Sequence, residues 1–192
     1  MRIIQRESTR RNVLAAARAL FCAEGVDAVS MEDVAHAANV GRATVYLHFT
    51  GKHALLVALL TEDWASQLRL FRKLGDNGQV DDGAIESWLG RVIDGMRSAQ
   101  GSFAIHRIAL GQDERLADMH RAHRRMLASV LLDRLATLGA SEVGIRVEAV
   151  MIVAEIEYLA AAAAVEWNAE ETAAGVKLMT DRLAAFAARP TG

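Results

Sequence analysis

The sequence predicts an all-α protein, and three observations carry that reading. A single proline, Pro190, occurs in 192 residues, so nothing interrupts long helices. Alanine and leucine run high while clusters of β-branched residues are few, a balance that favours helix over strand. Apolar residues recur three and four apart in successive segments, the spacing of helices with one buried face. A hydrophobic content of 52% excludes a disordered chain and suffices for one good core or two modest ones.

The first helix is expected over residues 9 to 24, with Val13, Ala17, Leu20 and Phe21 inward, and Gly25 ends it. Cys22 lies beside that stripe and reads as a small core or boundary residue. Being the single cysteine, it forms no internal disulfide and no cysteine-based zinc site. From Ser30 to Lys52 the pattern is that of a helix-turn-helix. Ser30 caps a short helix and Asp33 completes a capping box, with Met31, Val34, Ala35 and Ala38 apolar at helical spacing. Asn39 tolerates the left-handed backbone that a tight turn needs, and Val40 plugs the space between the two helices. A second short helix restarts at Gly41. At about 100° per residue, Val45 and Phe49 share its inner face and Ala43 and Leu47 lie opposite. Arg42 and Tyr46 take one flank, Thr44 and His48 the other. A small mixed surface of this kind suits the major groove of DNA.

A fourth, long helix is expected from Lys52 to about Leu74, with Leu56, Leu60, Trp64, Leu68 and Phe71 on one face. The stretch Gly75 to Gly83 is the clearest loop. A fifth helix follows from about Ala84 to Ala99, with Ile85, Trp88, Leu89, Val92 and Met96 inward. Gly101 and Gly111 bracket a short apolar segment, and the next helix runs from Asp113 to Leu138 with Leu116, His120, His123, Leu127 and Leu131 in one stripe. Residues 142 to 168 are apolar on nearly every side, so that helix must be buried on two sides. The last helix, Thr172 to Ala188, has a narrow stripe of Val176, Met179, Leu183 and Phe186 resembling a coiled-coil seam. This much apolar helix surface predicts pairing with a second copy.

Net charge is −2, which argues against a non-specific nucleic-acid coat protein. Its distribution is uneven: residues 1 to 53 carry +2 and the remainder −4, which points the N-terminal piece toward phosphate. The N-terminus has no apolar run of signal-peptide length, and the most apolar window, Ala149 to Val165, contains Glu155 and Glu157. Neither a membrane span nor a cofactor is expected, and the expected location is cytoplasmic.

The run Gly25, Ser30, Val34-Ala35, Ala38-Asn39-Val40, Thr44-Val45-Tyr46-Leu47-His48-Phe49, Lys52 and Ala54-Leu55-Leu56 resembles the N-terminal domain of the tetracycline-repressor (TetR) family of bacterial transcriptional regulators. The motif covers roughly residues 9 to 56. Beyond it the remaining helices resemble the family in length, number and order. The resemblance implies about nine helices, a helix-turn-helix DNA-binding domain over 1–51 and an effector-binding and dimerisation domain over 52–192. It also implies homodimerisation through the last two helices, and a small-molecule site inside the fourth to eighth whose occupation releases double-stranded DNA. By the same resemblance, Thr44, Tyr46, His48 and Lys52 contact the operator, mostly its phosphates. Sequence choice then falls to Arg42, Ala43 and Leu47. Three departures stand out: Asn39 replaces a frequent turn glycine, Gly41 replaces a hydroxyl cap, and Gly51-Lys52-His53 replaces a more usual Ser-Lys-Glu.

The function these residues favour is a ligand-responsive, dimeric DNA-binding repressor acting at a palindromic operator. For the effector site, Trp88, Phe103, Arg107, His123 and Glu155 are the first candidates: large or polar side chains on otherwise apolar stripes that would line a mostly apolar pocket with a few polar anchors. A helical-bundle metal protein or enzyme is the alternative of a different class, resting on His120 and His123 three residues apart. The sequence holds no Glu-x-x-His pair and no nucleotide or hydrolase fingerprint to support it. A constitutive DNA-binding protein without effector is a third reading, in which the second half only dimerises; core packing or an edge position then explains these side chains singly, and their number is what stands against it.

Overall fold

The computed structural model describes residues 2–76, 80–98, 113–135 and 143–188. They form eight helices, with no strand among the described residues: α1 (Arg2–Glu24), α2 (Met31–Ala37), α3 (Arg42–His48), α4 (Lys52–Phe71), α5 (Asp82–Ser98), α6 (Glu114–Arg134), α7 (Val143–Val165) and α8 (Ala169–Ala187). The segment between Gly101 and Gly111, with Phe103 and Arg107, lies outside the described residues. No single helix among those described is long and apolar enough to cross a membrane.

The chain divides into two compact units. The described residues of the first are 2–63 and 113–117, those of the second 64–76, 80–98, 118–135 and 143–188. In the first unit α1 starts earlier than its apolar stripe suggests, because residues 2 to 8 hold no breaker and the helix simply continues through them. It ends at Gly25, whose φ of 84° is the left-handed conformation glycine adopts freely and whose N–H donates to the Phe21 carbonyl at 3.1 Å. Cys22 points to solvent rather than to the core or its edge, since it lies about 100° round the helix from buried Phe21. Its thiol is still partly shielded from water by its neighbours, and that partial desolvation chiefly, with Asp63 and against the opposing effect of Arg18, raises it above its ordinary value.

The helices α2 and α3 have seven residues each, too few to be stable alone. Their stability comes from Val34, Ala35, Val45 and Phe49, which close a core with Val13, Leu14, Ala17 and Phe21 of α1 and Leu55 and Leu59 of α4. Each large side chain fully buried there contributes about 1.5–3 kcal/mol. The capping box is formed: Asp33 N–H donates to Ser30 Oγ at 3.1 Å, and Ser30 N–H donates to the Asp33 carboxylate at 2.8 Å. Asn39 takes a φ of 52° in the turn, and Val40 packs half-buried against the core. A bidentate ion pair between Arg18 and Asp63, at 2.9 and 3.0 Å, fastens α1 to α4.

In the second unit, Trp88 and Leu89 of α5, Ile152 and Ile156 of α7, and Leu183 and Phe186 of α8 meet in one core. The α8 stripe that resembled a coiled-coil seam is spent here: Met179, Leu183 and Phe186 are buried against the chain's own α5 and α7. The helix α7 buries one face, with Ile152, Ile156, Leu159 and Ala163, and exposes another. Val143, Val147, Met151, Tyr158 and Val165 form a solvent-facing apolar stripe on it, spaced in multiples close to 3.5 residues.

Candidate nucleic-acid interface and effector site

The residues singled out for DNA contact lie on α3 and at the first position of α4. Val45 and Phe49 turn inward, which leaves Ala43 and Leu47 outward, Leu47 being 76% exposed. Arg42 and Tyr46 stand beside them, while Thr44 and His48 are half-buried. An outward Leu47 contributes nothing to the folding of the chain itself, whereas against a thymine methyl it would be covered. The Arg42 guanidinium lies 5.7 Å from the centre of the Tyr46 ring and 3.4 Å from the Glu32 carboxylate of α2. Gly41 gives α3 no side-chain cap, and only backbone N–H groups of Thr44 and Val45 return to its carbonyl. Lys52 points back into the unit. Its ammonium donates to the carbonyls of Val26 and Asp27 at 3.0 and 3.2 Å, tying the loop before α2 to the start of α4.

Of the effector-site candidates, Trp88 is fully buried; its indole N–H donates to the Leu70 carbonyl at 2.8 Å, and its ring meets Phe71 edge-on at 5.1 Å. Those partners make Trp88 a core residue with its polar atom satisfied. His123 is 7% exposed and stands in a polar cluster formed by α4, α6 and α7 of the second unit. Its Nε2 is 2.9 Å from the Gln67 amide oxygen, and Trp64 stacks on its ring at 5.4 Å. His120 lies 6.1 Å from Trp64 and 4.0 Å from the Glu157 carboxylate, which accepts from Arg124 at 2.6 Å. Glu155 is elsewhere, beside an open groove between α7 and α8 lined by Tyr158, Trp167, Leu178 and Arg182. Its carboxylate is 3.5 Å from Arg182, which also pairs with Glu148 at 2.7 Å. Glu148 chiefly, with Glu155, pushes the Arg182 guanidinium further above its ordinary value.

Sequence reasoning passed over Gln67, Arg124 and Glu157. Arg124 directly follows His123, but the all-round apolar pattern of α7 gave no phase by which to choose Glu157 over Glu155. His53 stands 3.0 Å from Asp113, whose other oxygen caps α6 by accepting from the N–H groups of Arg115 and Leu116. Among the described residues no group of three His, Cys, Asp or Glu side chains is arranged to hold a metal ion.

A short exposed helix seated on a three-helix core, in a chain whose other unit is a separate helical bundle, defines a helix-turn-helix DNA-binding architecture. Residues 13–59 match the sequence model of the bacterial regulatory proteins of the tetR family. Over 81 residues the chain is 31% identical to the HTH-type transcriptional regulator UidR of Escherichia coli K12, a match spanning 42% of this chain and 41% of that protein. The match therefore spans less than half the length of this relative. Among solved structures, Salmonella enterica GusR superposes with a TM-score of 0.75 at 20% identity, covering 93% of this chain and 95% of GusR. A TetR-like transcriptional regulator from Rhodococcus sp. RHA1 superposes with a TM-score of 0.70 at 19% identity, covering 92% and 96%. Residues 13–59 thus resemble the N-terminal domain of the tetR family, and the chain as a whole shares the fold of these regulators.

Proposed function

We propose that this protein is a homodimeric transcriptional regulator that holds a palindromic operator through two copies of α3 and is released from it by a small molecule. The outward presentation of Arg42, Ala43, Tyr46 and Leu47 on a helix whose other face is fully buried carries the reading. Thr44, His48 and Lys52 border that surface and supply the phosphate contacts that set register, while Arg42, Ala43 and Leu47 read bases. Dimerisation uses the apolar stripe of α7 and the α8 surface around Leu178, which together offer a second copy the exposed hydrophobic area that a lone chain rarely shows.

The effector binds in the second unit around Trp64, His120, His123 and Glu157, where an apolar helical interior carries a few polar groups. Release requires that the effector prefer the arrangement that does not fit DNA, since equal affinity for both arrangements shifts nothing. Selection of bound duplexes from a random pool tests the reading. The expected outcome is an inverted repeat with half-site centres about one helical turn, ~34–36 Å, or slightly more apart. Recovery of no palindromic site would count decisively against it.

A further inference from the structure

We propose that Glu32, which lies on α2 outside the recognition helix, determines DNA specificity by acting through Arg42; the proposal rests on the reading of α3 as the helix that reads DNA. The Glu32 carboxylate is 3.4 Å from the Arg42 guanidinium, which also stands over the Tyr46 ring at 5.7 Å. Both side chains of the ion pair are exposed, 63% for Arg42 and 73% for Glu32, so the pair adds little to folding. An acid in the first turn of α2 suits the positive end of that helix, which accounts for part of Glu32. Arg42 has no such local rationale. It is a cation at the first position of α3, where the helix dipole is adverse and Gly41 supplies no side-chain cap. A carboxylate from the neighbouring helix and an aromatic ring one turn on hold it at the rim of the reading surface.

A guanidinium carries five N–H donors, so one spent on Glu32 leaves enough for bidentate recognition of guanine O6 and N7. On a matched site Arg42 keeps both partners and the Glu32 charge stays neutralised. On a mismatched duplex the guanidinium leaves for a phosphate, and an unneutralised carboxylate then faces the polyanion. Like charges juxtaposed across an interface suppress that mode of binding. Glu32 therefore weakens mismatched binding selectively, and Arg42 is the side chain through which it does so.

The test compares affinities of the full chain and of Glu32→Gln, Arg42→Ala and the double variant for two duplexes: the one selected from a random pool and a scrambled duplex of equal length. Glu32→Gln is expected to bind the scrambled duplex about three- to tenfold more tightly while leaving the selected duplex within about twofold, so the specificity ratio falls. In the Arg42→Ala background Glu32→Gln is expected to leave the ratio unchanged, because nothing there neutralises the carboxylate on either duplex. Equal strengthening of both duplexes in the intact background overturns the proposal, as does a ratio that falls just as far without Arg42. If selection yields no duplex preferred over scrambled DNA, the reading of α3 itself fails and this proposal falls with it.

Discussion

The Lys52 ammonium donates to the Val26 carbonyl at 3.0 Å, and with the Asp27 carbonyl at 3.2 Å this spends two of its three N–H donors inside its own unit. The lysine at the head of α4 thus fixes the loop that leads into α2 before any DNA is present, and one donor remains for a phosphate. Lys52→Ala is expected to lower folding stability by about 1–2 kcal/mol. It should also weaken every duplex by a common factor and flatten the salt dependence of binding by about 0.9 in slope. Chemical unfolding and binding titrations at several salt concentrations check the two halves separately. Loss of stability with an unaltered slope would leave Lys52 a purely structural residue.

Met151 sits at the middle of the exposed α7 stripe and is 55% exposed in the single chain. An arginine there meets solvent in a monomer but a desolvated apolar surface in a dimer. Met151→Arg is expected to weaken self-association by about 2 kcal/mol or more while helical content and unfolding cooperativity are retained. Sedimentation velocity over a concentration series reads the result. A variant that pairs as tightly as the parent would move the dimer interface off this stripe.

Gly175 is where α8 passes beneath Trp167. A Cβ added there would lie 2.5 Å from the Trp167 ring and 2.8 Å from a methyl of buried Leu159, so both must shift. Overpacking of this kind costs about 1–3 kcal/mol, against which alanine gains about 1 kcal/mol in helix propensity. Gly175→Ala is therefore expected to destabilise the protein by about 1 kcal/mol net, measured by urea unfolding. A stabilised variant would mean that Trp167 swings aside freely.

Asp33 is held below the usual carboxylate range by the hydrogen bonds from the Ser30 hydroxyl and backbone N–H, the hydroxyl being the stronger influence. A carboxyl lowered on folding stabilises the folded state above its unfolded value and loses that contribution as pH falls through its folded value. Below the usual carboxylate range, α2 should fray at Ser30 before the core of the unit unfolds. Amide exchange or NMR titration of the Ser30 and Asp33 N–H groups follows the step. Asp33→Asn removes the acid dependence at that position, and Ser30→Ala costs about 1 kcal/mol at neutral pH.

Much of the fold was legible because its determinants are local. The capping box of Ser30 and Asp33, the left-handed Asn39 and the inward pair Val45 and Phe49 follow from spacing within one or two turns of helix, and a short helix can present its faces only one way round. What tertiary structure alone decided are partnerships between distant residues. Glu155 and Glu157 are two residues apart, hence about 200° apart around α7. On a helix apolar all round, only the packing of α6 and α8 against it determines that Glu157 meets Arg124 and His120 while Glu155 meets Arg182. The α8 stripe was plain in the sequence, but whether it faced its own core or a second copy depended on where α5 and α7 lay. Likewise the apolar character of Trp88 marked it as buried, yet its carbonyl partner, Leu70, comes from another helix. The sequence by itself determined the helices, their inner faces and the outward face of α3, because these rest on periodicity. Which polar groups share the interior was decided by three-dimensional packing, because a side chain's long-range partners leave no period in the chain.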